Sequence, residues 1–254
     1  MTEPSGEHQN IKIYNSTSYY TDSRAEYPLT EVLPGRNQKH GGRVFTVLEK
    51  LKQRGVLSEK HPDIYEVVSG GKLQWLDVGA GSAPIARLVS DYYANCFSVT
   101  SIDLVQTGVR VLNLNGLRPP YIQGDTGKLP FSDNSFDILT AHDVLEHLQN
   151  PLPSLREAFR AIRPGGLFHI VVPNPDSWIT GTDNDTYAHD PTHVYPAIVG
   201  TDYFREQLRL LGFDGVTVMT RGFPETSEVF KETGSELFKP EGGNHVYAFA
   251  FKPY

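Results

Sequence analysis

From Leu73 onward the chain alternates short apolar runs with longer amphipathic stretches. The runs Leu73–Val78, Phe97–Ile102, Tyr121–Gln123, Phe136–Ala141 and Leu167–Val172 are mostly continuous. That pattern predicts strands covered on both faces of a parallel sheet. Helices are predicted between them, near Pro84–Ala94, Thr107–Asn115, Asp143–Leu148 and Leu152–Arg163. In the last of these Leu152, Leu155, Phe159 and Ile162 share a face, Asn150 stands at the N-cap and an RPGG turn ends the helix. Upstream, Val44, Val47, Leu48 and Leu51 recur at i, i+3, i+4 and i+7. They predict a helix over Asn37–Arg54, stopped by Gly55. A shorter helix is expected after Pro62, through Ile64, Tyr65, Val67 and Val68. Near the end come a helix over Thr201–Leu211 and two strands, Gly215–Thr220 and Val246–Phe251. The alternation predicts an α/β fold: a doubly wound, mostly parallel seven-stranded sheet with helices on both faces, an antiparallel last strand and an N-terminal helical extension.

Three stretches break the rhythm. Residues 1–36 are polar yet carry Tyr14, Tyr19, Tyr20 and Tyr27, many aromatics for a disordered tail. They read either as a tail or as an arm that closes an active site. Residues 174–199 and 221–245 are long, polar and rich in breakers, a pattern usual for lids and binding loops. Residues 37–254 read as one domain, with no internal repeat.

Composition narrows the classes. The chain has 254 residues, 39% hydrophobic and 21% charged, which is ordinary for a globular protein. Its formal net charge of -7, with no Lys/Arg run, argues against nucleic acid or an anionic membrane as partner. The single cysteine, Cys96, cannot form an intramolecular disulfide or a thiolate zinc cluster and reads as a small core residue. The N-terminus lacks the charged and apolar regions of a signal peptide, and no run nears the ~20 apolar residues of a membrane span. The expected location is the cytoplasm.

The chemistry concentrates in LDVGAGSAPIAR, residues 76–87, where a strand turns through glycines into a helix. Gly79 and Gly81 let the backbone pass close to a ligand, and Pro84 suits a first helical turn. A dinucleotide fingerprint requires glycine where Pro84 stands, and a phosphate-binding loop requires Gly-Lys-Ser/Thr, which is absent. Acids surround the turn instead. Asp77 precedes the glycines, Asp103 follows the strand ending at Ile102, and Asp125 follows the strand ending at Gln123. A carboxylate at the Asp103 position suits a ribose diol, and one at the Asp125 position can accept from an adenine amine. Such acids repel a pyrophosphate and tolerate a cationic nucleoside. S-adenosylmethionine (SAM) is one, with a sulfonium, an ammonium and no phosphate.

Four motifs in order, LDVGAGSA, SIDL, QGDTGKLPFSDNSFDILTAHDVLEHL and LREAFRAIRPGGLFHIVVPN, resemble class I (Rossmann-like) SAM-dependent methyltransferases, and within them the group acting on small molecules. The resemblance covers Leu73–Gly212 clearly. It implies that Asp77, Gly79, Ala80 and Gly81 frame the methionine part of SAM. It implies that Asp103, beside Leu104, takes the ribose hydroxyls, that Asp125 and Thr126 contact adenine, and that His142 lines the pocket near the methyl group. Ala83 departs from the pattern, since a third glycine is common there.

Methyl transfer is an in-line displacement that depends on placing the nucleophile opposite the leaving sulfur. A hydroxyl acceptor also needs a base or a metal. Candidate bases are His142, His189 and His193, with Tyr187 beside them; Trp178 and Tyr195 could add an aromatic wall. If Asp143 starts a helix, Glu146 and His147 share a face with it and could ligate a metal, as in some ubiquinone-pathway O-methyltransferases. The competing reading is that these residues hold a strand-to-helix junction, and no metal is expected. The function expected is methyl transfer to O or N of a small molecule, by a monomer or a homodimer. A SAM-binding enzyme of other chemistry, such as SAM cyclisation, and a non-catalytic partner of the same fold are the alternatives.

Overall fold

The computed structural model describes residues 39–61, 64–105, 119–174, 201–221, 238–239 and 245–254. Helix α1 (Lys39–Gln53) leads into a hairpin, β1 (Leu57–His61) and β2 (Ile64–Val67). Then follow β3 (Leu73–Val78), α2 (Pro84–Tyr92), β4 (Phe97–Asp103), β5 (Tyr121–Gln123) and β6 (Phe136–His142). After a 3-10 turn (Leu145–His147) come α3 (Leu152–Ala161), β7 (Ile162–Pro173), α4 (Thr201–Leu210), β8 (Asp214–Arg221), β9 (Phe238–Lys239) and β10 (His245–Phe251). The main sheet has the order β5-β4-β3-β6-β7-β10-β8-β9. The β5 to β7 ladders are parallel, and β10 runs antiparallel between β7 and β8. The expected seven-stranded, mostly parallel sheet is therefore present, with the two-residue β9 added at its edge.

The two-faced burial follows from the apolar runs. Successive strand residues point to opposite faces. Trp75, Val99, Ile138, Val171 and Phe249 point one way, against Val44, Val47, Leu48 and Leu51 of α1, Ile85 and Leu88 of α2, and Leu57 and Tyr65 of the hairpin. Leu76, Ile102, Leu139, Ile170 and Ala248 point the other way, against Leu155 and Ala158 of α3 and Phe204 and Leu208 of α4. Cys96 lies in the first layer, its thiol bonded to the Tyr65 carbonyl at 3.0 Å. Among the described residues no helix is long and apolar enough to cross a membrane.

Three expectations need correction. The predicted helix through Ile64–Val68 is instead strand β2: Ile64 and Glu66 are exposed while Tyr65 is buried, a period of two that a four-residue apolar cluster conceals. The predicted helix over Asp143–Leu148 is a single 3-10 turn, because Asp143 takes a left-handed backbone (φ 52°). Strand β7 starts at Ile162 and runs through the RPGG turn rather than starting at Leu167. Of the remaining expectations, the arm 1–36, the helix near 107–115, residues 175–199 and most of 221–245 lie outside the described residues.

Arg160 explains why LPFSDNSFD and the α3 helix occur together. Its guanidinium donates to the Leu129 and Phe131 carbonyls, at 3.1 and 2.8 Å, and to Asp133 and Glu157. Glu157 in turn accepts from the Leu129 N–H at 2.8 Å. The segment is buckled onto α3 just before β6 begins. Arg160→Ala strands two carbonyls and is expected to cost roughly 1–2 kcal/mol, the low range because the side chain is partly exposed. An unchanged thermal unfolding midpoint would show that the buckle contributes nothing.

Candidate functional site

The site lies at the carboxyl ends of β3 to β6. After Val78 the chain turns sharply, with Gly79 at φ 65° and Ala83 also left-handed at φ 54°. Alanine thus occupies a backbone state usual for glycine, at the position where the resemblance leads one to expect a third glycine. Pro84 then opens α2 at its first turn. Asp103, at the end of β4, holds the turn in place. Its Oδ2 accepts the Gly81 N–H at 2.8 Å and its Oδ1 accepts the Val105 N–H at 2.9 Å. On the other side the Tyr121 hydroxyl donates to the Gly81 carbonyl at 2.8 Å.

A cavity opens beside this turn. Gly79, Asp103, Leu104, Asp125, Thr126 and Gly127 line one part of it, and Asp143, Val144, His147, Leu148, Asn150, Pro153 and Ser154 the rest. Asp103, Leu104, Asp125 and Thr126, expected at a cofactor, all line this one space with Gly79. Asp125 is exposed, and its Oδ1 accepts the Gly127 N–H at 2.7 Å, leaving Oδ2 to a ligand. Thr126 is buried, its hydroxyl 2.7 Å from that of Ser154 on α3. Ser154, Pro153 and Asn150 bring α3 into the site. Nothing near the glycine turn in the sequence signals that.

Asp77, Ala80 and Gly81 lie behind the cavity rather than on its wall. Asp77 is buried and accepts from the Thr140 hydroxyl at 2.7 Å, which itself accepts from the Trp75 indole at 3.0 Å. Burial pushes its carboxyl up to about 7; the Thr140 bond and the positive charge of Arg43 oppose the rise, and Asp103 adds to it. Burial also raises Asp103, against the pull of its backbone N–H donors.

His142 ends β6, buried, with Nε2 3.0 Å from Nδ1 of His169 on β7. Burial, then His169 and Arg43, hold it well below the usual imidazole range, so it is neutral at pH 7. It is not among the residues that line the cavity; its neighbours Asp143 and Val144 are. His189, His193 and Tyr187, with Trp178 and Tyr195, lie outside the described residues. The helical face that was to join Asp143, Glu146 and His147 does not form, and Asp143 pairs with Arg43 instead. Among the described residues no group of three or more His, Cys, Asp or Glu side chains could hold a metal ion.

Fold and site together define a Rossmann-like domain whose glycine turn is flanked by the carboxylates of Asp77, Asp103 and Asp125. The comparisons with known proteins carry this further. Residues 76–170 match the family model of a methyltransferase domain. The chain is 30% identical over 174 residues to a "probable S-adenosylmethionine-dependent methyltransferase" of Mycolicibacterium smegmatis, covering 68% of this chain and 62% of that protein. It is 27% identical over 176 residues to a ubiquinone biosynthesis O-methyltransferase of Rickettsia felis, covering 61% of this chain and 70% of that one. A crystal structure of a SAM-dependent methyltransferase from Archaeoglobus fulgidus shares the fold, with a TM-score of 0.54 at 19% identity over 82% of this chain and 94% of that one. Residues 76–170 therefore carry a methyltransferase domain, and the chain is similar to SAM-dependent methyltransferases, spanning about three fifths of the length of the first of these relatives.

Proposed function

We propose that the protein binds SAM in this cavity and transfers its methyl group to an oxygen or nitrogen of a small-molecule acceptor. The observation that carries the reading is Asp103: a buried carboxylate on the cavity wall, each oxygen fixed by a backbone N–H and each with acceptor capacity left for a ribose diol. The residues present fit the cofactor. Leu104 offers an apolar wall, Asp125 an acceptor for an adenine amine, and the Thr126–Ser154 hydroxyl pair a polar rim. Gly79 leaves room for Val144 on the facing wall. When bound, SAM supplies a methyl group on a positively charged sulfur.

The chain's own task is then to place the acceptor and take its proton. Among the described residues His142, buried beside the wall residue Asp143 and held well below the usual imidazole range, is a weak proton acceptor and suits orienting the site more than deprotonation. Its imidazole is neutral, and among the described residues Nδ1 has no hydrogen-bond partner, so it presents a lone pair if Nε2–H donates to His169. His189, His193 and Tyr187 are the further candidates for the same proton. A small-molecule acceptor accords with the net charge of -7 and with the ubiquinone-pathway relative.

The test is Asp103→Ala. Losing a charged acceptor from a ribose diol is expected to weaken SAM binding by roughly 1–3 kcal/mol, about 5- to 150-fold in Kd, by calorimetry. An unchanged Kd removes Asp103 from the ribose. Release of S-adenosylhomocysteine on turnover supports methyl transfer, whereas methylthioadenosine would place the chemistry elsewhere on SAM.

A further inference from the structure

We propose that Arg43 is a positioning residue of the cofactor site: from helix α1 its guanidinium clamps Asp143 and so holds Asp143 and Val144 as the cavity wall facing Gly79. The inference rests on the assignment of this cavity to SAM. Arg43 lies outside the stretch that matches the methyltransferase family model. It is 1% exposed, on the face of α1 turned to the sheet. Nη1 donates to Asp143 Oδ2 and Nη2 to Oδ1, both at 2.9 Å. This is the parallel, two-point geometry that fixes a carboxylate in orientation as well as position.

What Asp143 does with that grip is visible in the backbone. Its φ is 52°, and its N–H is bonded to the Val171 carbonyl at 2.8 Å. The left-handed step stops β6 from running on into a helix. It sends the next residue, Val144, across to Gly79, so closely that a Cβ on Gly79 would fall 2.3 Å from Val144 Cγ2. The ends of β3 and β6 therefore meet through Asp143 and Val144, and both residues line the cavity.

Energetics argue that the pair does more than stabilise. Burying the Arg43 guanidinium away from water costs several kcal/mol, which its pairing with the partly exposed Asp143 carboxylate offsets, and an apolar residue of similar shape often serves stability as well. Here burial disfavours the Arg43 charge, and Asp143 and Tyr247 outweigh it. What an apolar pair cannot supply is a fixed carboxylate at the end of β6, with its main chain held in a left-handed turn.

The experiment compares wild type, Arg43→Met, Arg43→Lys, Asp143→Asn and the Arg43→Met/Asp143→Asn double variant. SAM Kd is measured by calorimetry and melting by circular dichroism. Arg43→Met is expected to raise the SAM Kd about tenfold in protein that is still folded. Arg43→Lys, which keeps the charge but loses the fork, recovers part of the affinity. Asp143→Asn raises Kd similarly, and the double variant is no worse than either single, since both break one unit. Lowered melting with Kd within about twofold of wild type in Arg43→Met and Asp143→Asn would overturn the proposal. If Arg43→Met does not fold, Asp143→Asn, whose side chain also tolerates a left-handed backbone, decides by the same criterion. If Asp103→Ala loses SAM while Arg43→Met and Asp143→Asn keep it, only the clamp falls. If wild type binds neither SAM nor S-adenosylhomocysteine, the cofactor reading falls and the clamp with it.

Discussion

Asp77→Asn is expected to stabilise the ligand-free protein at pH 8 while weakening its hold on SAM. Asp77 is buried, and burial pushes its carboxyl up to about 7. A group raised in the folded state gives its full stability below its unfolded value near 3.8, and loses it as pH climbs to about 7. Above that the buried charge is carried at full cost, on the order of 4 kcal/mol at about 1.4 kcal/mol per tenfold change. Asparagine keeps the oxygen that accepts from Thr140 and has no charge to bury. Its melting temperature is expected to exceed that of wild type by several degrees at pH 8 and to match it near pH 4, so the stability lost by wild type between pH 4 and 7 disappears. Asp77 lies behind the cavity wall, so under the family resemblance its charge would act on the cationic end of SAM through space, without direct contact. Loss of that charge is expected to raise the SAM Kd several-fold, the scale of an ion attraction of roughly 1 kcal/mol without direct contact. Gain of stability without loss of affinity would take Asp77 out of the cofactor site. Loss of both would mean that the carboxylate is structural.

The layers of this fold were legible because burial on two faces writes mostly apolar runs, and β3, β6 and β7 carry them. The hairpin was not. In IYEV, four residues hold too few turns of either period to decide, and Ile64 is exposed despite being apolar. The Asp143 turn was missed for a different reason. DVLEH has helical spacing in one dimension, but the conformation of Asp143 is set by an arginine 100 residues earlier. No local pattern encodes a partner at that distance.

The same division runs through the site. Asp103 and the glycines announce themselves because strand end, turn and helix start are contiguous, and the chemistry sits on the punctuation. Ser154, Asn150 and Pro153 reach the cavity because α3 docks against the loop after β5, which only the tertiary fold decides. His169 reads as a polar interruption inside an apolar strand. Its meaning, a buried imidazole stacked 4.5 Å from the Phe249 ring centre and bonded to His142, needs β10 and β6 on either side. The one retrievable signal was a charged residue on the apolar face of α1, where Arg43 interrupts a helix that buries Val44, Val47 and Leu48.

Gly79→Ala is expected to be among the most damaging single-methyl changes in the chain. The position has φ 65°, which costs an L-residue roughly 1–2 kcal/mol. The new Cβ would also fall 2.3 Å from Val144 Cγ2 and 2.6 Å from Val144 Cβ, so the wall of the cavity must move, at roughly 1–3 kcal/mol more. Protein that still folds is expected to melt several degrees lower and to bind SAM at least tenfold more weakly, since a loss of about 1.4 kcal/mol already suffices. The two costs can be separated. Val144→Ala removes only the methyls and leaves its Cβ too close, whereas Val144→Gly clears the space entirely. In the Gly79→Ala/Val144→Gly double variant the clash is gone and the backbone strain remains. The double variant is therefore expected to be less destabilised than the sum of its singles, an interaction of order 1–3 kcal/mol measurable by denaturant unfolding. If the costs simply add, the contact between the ends of β3 and β6 is not what Gly79 protects. If stability recovers in the double variant but SAM affinity does not, Val144 itself is part of the surface the cofactor needs.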